Sequence, residues 1–306
     1  MADHAELSGW VNARSQAAHT RLYAGLRVEA WAALHEVGWE AQPTEQAVDT
    51  PFGPTLAYRW AGAGTPVVLL HGAGTCALMW APLIGGLVGR SVIAVDGVGE
   101  PGRSIETAPV RDADDLSAWM GATLDGLGVE RAHLVGASYG GYVAVCHALR
   151  APGAVASLGL LEPVLDPLAR GFWTYGLKVG AALALPGRWR ERRLRALHMG
   201  ILAEDADRRR FALLGQIRFR RRGLPPPVPV SDADLARVAA PLLLVLGAES
   251  PIHDPAALAA RVRAACPDAT VAVLDAAGHT APVDAADRVA PLLGEFLDRE
   301  ELRSGP

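Results

Sequence analysis

Lysine is almost missing from this chain of 306 residues: Lys178 is its only copy, and arginine carries the remaining basic charge. The arginine bias reads most simply as the imprint of a GC-rich coding sequence. The formal net charge is −4, which gives no sign of a nucleic-acid partner. Cysteine is scarce as well. Cys76, Cys146 and Cys266 are far apart and odd in number, so they form neither a disulfide framework nor a metal site, and they fit a reducing compartment. No metal and no organic cofactor is expected. The opening residues Met1-Ala2-Asp3-His4-Ala5-Glu6 lack the basic and apolar regions of a signal peptide. No apolar stretch is long and uninterrupted enough to span a bilayer. The expectation is a soluble, cytoplasmic protein that does not act at a membrane.

What the chain has in quantity is apolar sequence arranged in short runs. Half of its residues are hydrophobic, enough for one large α/β domain with an insertion, or for two small domains. Residues 5 to 40 place apolar side chains at helix-like spacings. Strands are predicted at Ala47–Thr50, Thr55–Trp60, Pro66–Leu70, Ser91–Asp96, Ala132–Val135, Val155–Leu161, Pro241–Leu246 and Thr270–Leu274. Helical stretches such as Asp112–Leu127 and Asp254–Ala265 separate them. Continuous apolar strands alternating with helices imply a mostly parallel sheet covered on both faces. Residues 166–235 break the rhythm. They hold no convincing strand and are rich in arginine, with aromatics at Phe172, Trp173, Tyr175, Trp189 and Phe211. They read as a helical lid over the carboxyl end of the sheet. The predicted organisation is a helical extension (1–44), an α/β core (45–165 and 236–306) and the lid.

Chemistry concentrates at strand ends, where an open α/β sheet builds its sites. The segment His133-Leu134-Val135-Gly136-Ala137-Ser138-Tyr139-Gly140-Gly141 has the layout of a nucleophile elbow. Its glycines allow a tight strand-to-helix turn that lifts the serine hydroxyl out of the fold. The following helix aims its first N–H groups at the same place. His71-Gly72-Ala73-Gly74 is a glycine-rich turn after the third strand, and its exposed N–H can pair with that of Tyr139 as an oxyanion hole. Ala276-Ala277-Gly278-His279 follows the last strand, where a general base for Ser138 would come from. His253, which also follows a strand, is its one serious competitor.

With these residues in place, the chain from about Thr50 onward resembles the α/β-hydrolase superfamily. The match rests on His71-Gly72-Ala73-Gly74, on Asp96-Gly97-Val98-Gly99-Glu100-Pro101-Gly102-Arg103-Ser104, on the elbow at Ser138 and on Gly278-His279. The resemblance implies an eight-stranded sheet with a lid after the sixth strand. It also implies a Ser–His–acid triad working through an acyl-enzyme. Ser138 would attack a carbonyl, His279 would take its proton, and the N–H groups of Ala73 and Tyr139 would hold the oxyanion.

The acid departs from the family pattern. Most members place an aspartate three residues past the glycine that ends the seventh strand, and here that residue is Ser250. Three carboxylates compete. Glu162 ends the sixth strand, as the acid does in some dehalogenases of the superfamily, and is the first choice. Asp254 is the alternative acid, although Asp before Pro255 also reads as a helix N-cap. Glu249 is adjacent to the usual position but points elsewhere. Asp96 is read as the anchor of its loop and Glu100 as a solvated loop residue. Gly72 and Trp173 are read as substrate-binding, with Phe172, Trp173 and Tyr175 lining an apolar acyl pocket or forming the lid's own core.

The function expected is a serine hydrolase acting on a carboxylic ester or related acyl compound. An acyltransferase, a thioesterase, a C–C bond hydrolase or a ligand-binding homologue are the alternatives. The arginine-rich lid raises the option of a carrier-bound substrate, and the N-terminal helices that of a homodimer.

Overall fold

The computed structural model describes residues 13–39, 42–166, 170–197, 199–217 and 224–304. Its centre is an eight-stranded sheet: β1 (Thr44–Val48), β2 (Thr55–Trp60), β3 (Ala63–Leu70), β4 (Arg90–Val95), β5 (Ala132–Ala137), β6 (Val155–Leu161), β7 (Leu242–Gly247) and β8 (Thr270–Leu274), in the order β1-β2-β4-β3-β5-β6-β7-β8. β2 pairs antiparallel with β1 and β4, and every later pairing is parallel. All eight predicted strands are present. The first lies a few residues earlier than expected, because Pro51-Phe52-Gly53-Pro54 needs a wider turn: the Thr50 carbonyl accepts the Gly53 N–H.

The apolar runs are buried because helices cover both faces. Successive residues of β3 sort to opposite sides. Val68 and Leu70 join a core with α3 (Ala113–Gly126), α4 (Tyr139–Arg150) and α10 (Pro255–Ala265). Val67 and Leu69 join another with α1 (Ala13–Glu36), α2 (Ala81–Ile84) and α12 (Ala286–Ser304). Helix α1 is thus part of the core. Trp31 packs edge-on against Trp60 at 5.0 Å, and the Tyr23 hydroxyl bonds Tyr58 and the Asp96 carboxylate.

Between β6 and β7 stand α5 (Arg170–Ala184), α6 (Gly187–Arg195), α7 (Gly200–Glu204), α8 (Ala206–Ile217) and the short α9 (Asp232–Ala236). The first of these helices have a small core of their own, in which Tyr175, Leu194 and Leu197 meet Val164 and Ile252. Helix α8 reaches α1 through Phe211, whose ring lies 4.7 Å from His19. Short α11 (Ala281–Asp284) precedes α12. Among the described residues, no helix is long and apolar enough to cross a membrane.

Candidate active site

Among the described residues, three that are not glycine have a left-handed backbone: Ser138 (φ 52°), Glu162 (φ 51°) and Ala276 (φ 51°). They stand at the carboxyl ends of β5, β6 and β8. Such backbone is disfavoured for residues with a Cβ, and its clustering marks a place where packing over-determines the chain. The elbow glycines explain how Ser138 is held there. A Cβ on Gly136 would overlap the Gly140 carbonyl, and one on Gly140 would overlap the Leu70 carbonyl. The turn is therefore compressed against β3, and the serine caps α4.

The strand ends bring three predicted residues together. The Ser138 hydroxyl donates to His279 Nε2 at 3.0 Å. His279 Nδ1–H donates to Glu162 Oε2 at 3.2 Å. This pattern fixes the tautomer of a neutral His279, with its proton on Nδ1 and a lone pair facing the serine. The Tyr175 ring from α5 packs edge-on against the His279 ring at 5.6 Å.

Glu162 is 1% exposed, and a bare charge there would be expensive. Both of its oxygens are occupied. The Gly247 N–H donates to Oε1 at 2.5 Å, and the Ser250 hydroxyl donates to Oε2 at 2.6 Å. His253 Nε2 lies 3.4 Å from the same Oε2. Burial pushes the carboxyl pKa up, but the hydrogen bonds and positive charge offered by His253 and His279 outweigh it and bring the value down to about 2.

The other two carboxylates are elsewhere. The Asp254 side chain accepts the Ala257 N–H at 3.0 Å and caps α10. Glu249 is exposed. His253, the competitor for the role of base, lies beside Glu162 rather than on the serine.

The turn after β3 faces the elbow. Gly72 lies so close that a Cβ would come within 3.3 Å of Ser138 Cβ. Ala73 is exposed beside it. Tyr139 is the first residue of α4, and an N–H at that position has no acceptor inside its helix. His71 ties the turn to the β4 loop. Its Nδ1–H donates to the Gly72 carbonyl and its Nε2 accepts the Gly97 N–H, each at 2.9 Å. Burial lowers its pKa, so the ring is neutral. Asp96 anchors the loop as expected, accepting from the N–H groups of Ala77 and Arg103 at 2.8 Å.

Glu100 corrects the sequence reading. It is 2% exposed rather than solvated, and its Oε2 accepts the Gly74 N–H at 2.5 Å. The loop after β4 folds inward, and a backbone donor in a glycine turn receives the carboxylate. No signal next to Glu100 in the sequence marks this, because its partner Gly74 lies 26 residues earlier. The side chains of Phe172 and Trp173 lie outside the described residues. A cleft of about 600 Å³ opens beside Gly278, between Arg195 and Glu204 on one side and Asp284, Asp287 and Arg288 on the other.

The chain belongs to the alpha/beta hydrolase family, whose sequence profile matches residues 67–292. Among curated proteins it is 26% identical over 276 residues to one named uncharacterized carboxylesterase nap of Bacillus subtilis (strain 168), covering 86% of this chain and 89% of that one. It is 32% identical over 251 residues to the dihydrolipoyllysine-residue acetyltransferase component of the acetoin cleaving system of Pseudomonas putida, covering 76% of this chain and 64% of that one. Among solved structures, naproxen esterase (carboxylesterase NP) of Bacillus subtilis superposes with a TM-score of 0.77 at 24% identity, over 91% of this chain and 98% of that one. At that identity the likeness speaks to the fold.

Proposed function

We propose that this protein is a serine hydrolase that cleaves a carboxylic ester, with Ser138 as nucleophile, His279 as general base and Glu162 as the acid that orients it. The observation that carries the reading is the unbroken chain from Ser138 Oγ through both nitrogens of His279 to Glu162 Oε2, with links of 3.0 and 3.2 Å. The carboxylesterase name of the relative that aligns over 86% of this chain supports an ester as substrate.

In this reading Ser138 Oγ attacks the carbonyl carbon while His279 Nε2 takes its proton. The carbonyl oxygen becomes an oxyanion and is held by the N–H groups of Ala73 and Tyr139. Removing one such donor costs ~3 kcal/mol of transition-state stabilisation. Glu162 stabilises the imidazolium through Nδ1–H. His279 then gives the proton to the departing alkoxide, leaving an acyl-enzyme on Ser138. Water enters by the same path in reverse, assisted by the same base, and releases the carboxylic acid. Helices α5 to α8 serve as the lid, with Tyr175 as their contact to the base. Gly72 and Trp173 contact substrate.

The test is a fluorophosphonate probe followed by mapping of the adduct, together with hydrolysis of p-nitrophenyl acetate. Labelling at Ser138, abolished in Ser138→Ala, is expected. Folded protein that neither takes the probe at Ser138 nor turns over the ester overturns the reading.

A further inference from the structure

Thr75 supplies two of the donors that hold one carbonyl in the turn after β3, and the other side of that same peptide bond carries an N–H of the proposed oxyanion hole. We propose that Thr75 is a positioning residue for hydrolysis: its hydroxyl grips the Gly72 carbonyl and thereby aims the Ala73 N–H at the oxyanion that forms on Ser138. The inference rests on the proposed function of the site and deepens it.

Among the described residues every peptide bond is trans. The Gly72 C=O and the Ala73 N–H belong to one such planar unit, so they point in opposite directions. Whatever fixes the carbonyl therefore fixes the N–H. Three donors converge on that carbonyl: Thr75 Oγ1–H at 2.6 Å, His71 Nδ1–H at 2.9 Å and the Thr75 N–H at 3.3 Å. The Thr75 hydroxyl has a single proton to give. Its other neighbours, His71 Nδ1 and Met79 Sδ, both stand farther off at 3.3 Å, so the carbonyl receives it.

The next peptide unit is held as well. The Thr75 N–H closes a β-turn over Gly72–Thr75, and Gly74 at its third position has φ 75°, the mark of a type II turn. The middle peptide of that turn presents the Gly74 N–H to Glu100 Oε2 at 2.5 Å. Ala73 thus stands between two tied peptide units, although its own side chain is exposed. Thr75 is anchored in turn from the residues beyond it. The N–H of wholly buried Ala77 donates to Asp96 Oδ1 at 2.8 Å. Such fixing matters because a donor accelerates the reaction only when it is already aimed where charge develops. The neutral ester carbonyl accepts a weaker bond than the oxyanion does. Loosening the donor therefore weakens the transition state more than the bound substrate.

The experiment compares the unmodified protein with Thr75→Val and Thr75→Ala, which lack the hydroxyl, and with Thr75→Ser, which keeps it. Each is checked for an intact thermal melt. For p-nitrophenyl acetate, kcat is expected to fall roughly tenfold in Thr75→Val and Thr75→Ala with KM little changed, short of the about 10²–10³-fold that outright removal of an oxyanion donor costs. Thr75→Ser restores it. Inhibition by trifluoroacetone, whose adduct with Ser138 places an oxyanion in the same hole, is expected to weaken by a similar factor. A residue that merely stabilises the turn would lower Tm and leave kcat and this inhibition unchanged in the folded protein, and that result overturns the inference. A loss of kcat that Thr75→Ser fails to restore overturns it too. Failure of the esterase reading is a separate result, seen in the unmodified protein as no labelling and no turnover. In that case the N–H residual dipolar coupling of Ala73, read by NMR, decides. A coupling moved in Thr75→Val and Thr75→Ala but not in Thr75→Ser upholds the hold of Thr75 on that N–H, and an unmoved one overturns it.

Discussion

Ser250 donates its hydroxyl proton to Glu162 Oε2 across 2.6 Å, joining the loop after β7 to the end of β6. The two residues are 88 apart in sequence, and the oxygen that Ser250 holds is the one that His279 Nδ1 meets at 3.2 Å. Ser250 lies where the family pattern has its aspartate, and in the proposed function the acid is Glu162, one strand along the sheet and hydrogen-bonded to that residue. A transplant tests this. Glu162→Gln alone should lower kcat by three orders of magnitude or so, since an amide cannot stabilise the imidazolium. Glu162→Gln with Ser250→Asp should recover a measurable part of the loss. A double variant no better than the single one would place the usual acid position out of reach.

Acid should destabilise this fold in two stages. His19 is buried against Phe211. Burial is the main cause of its pKa falling from 6.5 to about 4, against a smaller opposing effect from the Pro101 backbone. His71, His133 and His147 are shifted the same way, chiefly by burial. A histidine whose folded pKa lies below its unfolded value binds its proton more readily when unfolded. Stability is therefore complete above about pH 6.5 and is lost as pH falls toward 4. Glu162, lowered from 4.5 to about 2, adds a second loss as pH falls from 4.5 toward 2. Thermal melts from pH 7.5 down to 3 should show Tm level to about pH 6.5 and falling below it, and a Tm that holds flat between pH 6.5 and 4 would contradict the first stage.

The elbow tolerates no side chain at its glycines. Gly140→Ala puts a Cβ into the Leu70 carbonyl, and Gly136→Ala puts one into the Gly140 carbonyl. Backbone cannot give way as a flexible side chain can, so each should cost upwards of about 3 kcal/mol. Chemical denaturation curves check this. Gly153→Ala, where the added carbon meets nothing within 4 Å, is the control and should be close to neutral.

Thiol reagents should not inactivate the protein. Burial raises the thiol pKa of Cys146 to about 11, and that of Cys76 well above its ordinary value. Cys266 is raised as well, by burial alone, and its Sγ donates to the Leu235 carbonyl away from Ser138. Neutral thiols react slowly. Iodoacetamide at pH 7 should leave ester hydrolysis intact while a fluorophosphonate abolishes it. Loss of activity on alkylation would point to a thiol in the site.

A Ser–His–Glu chain elsewhere in the molecule shows why motif and neighbourhood must be separated. His133 lies between Ser157 Oγ at 2.7 Å and Glu301 Oε1 at 3.0 Å. Glu301 also accepts the Thr65 N–H at 2.8 Å. Ser157 is wholly buried in the middle of the sheet, so this chain ties α12 to β3 and β5 and offers no path for a substrate.

The sequence by itself determined the local geometry of this protein. Apolar runs of strand length, separated by helices, set out all eight strands. The glycines around Ser138 announced a turn that only glycines permit, and the glycine turn before His279 marked the end of the last strand. These are properties of neighbouring residues, and the chain carries them within a few positions. What only the tertiary structure decided is which carboxylate meets His279, and from which partners it draws its charge. Glu162, Asp254 and Glu249 each follow or flank a strand, and the local signals that made Glu162 the first choice left Asp254 and Glu249 open. The ranking comes from the parallel pairing of β6 with β7 and of β7 with β8, which sets residues 117 apart at hydrogen-bond distance. The same convergence brought Gly247 and Ser250 onto Glu162 and turned Glu100 inward, because a buried charge is kept only where distant donors are folded onto it.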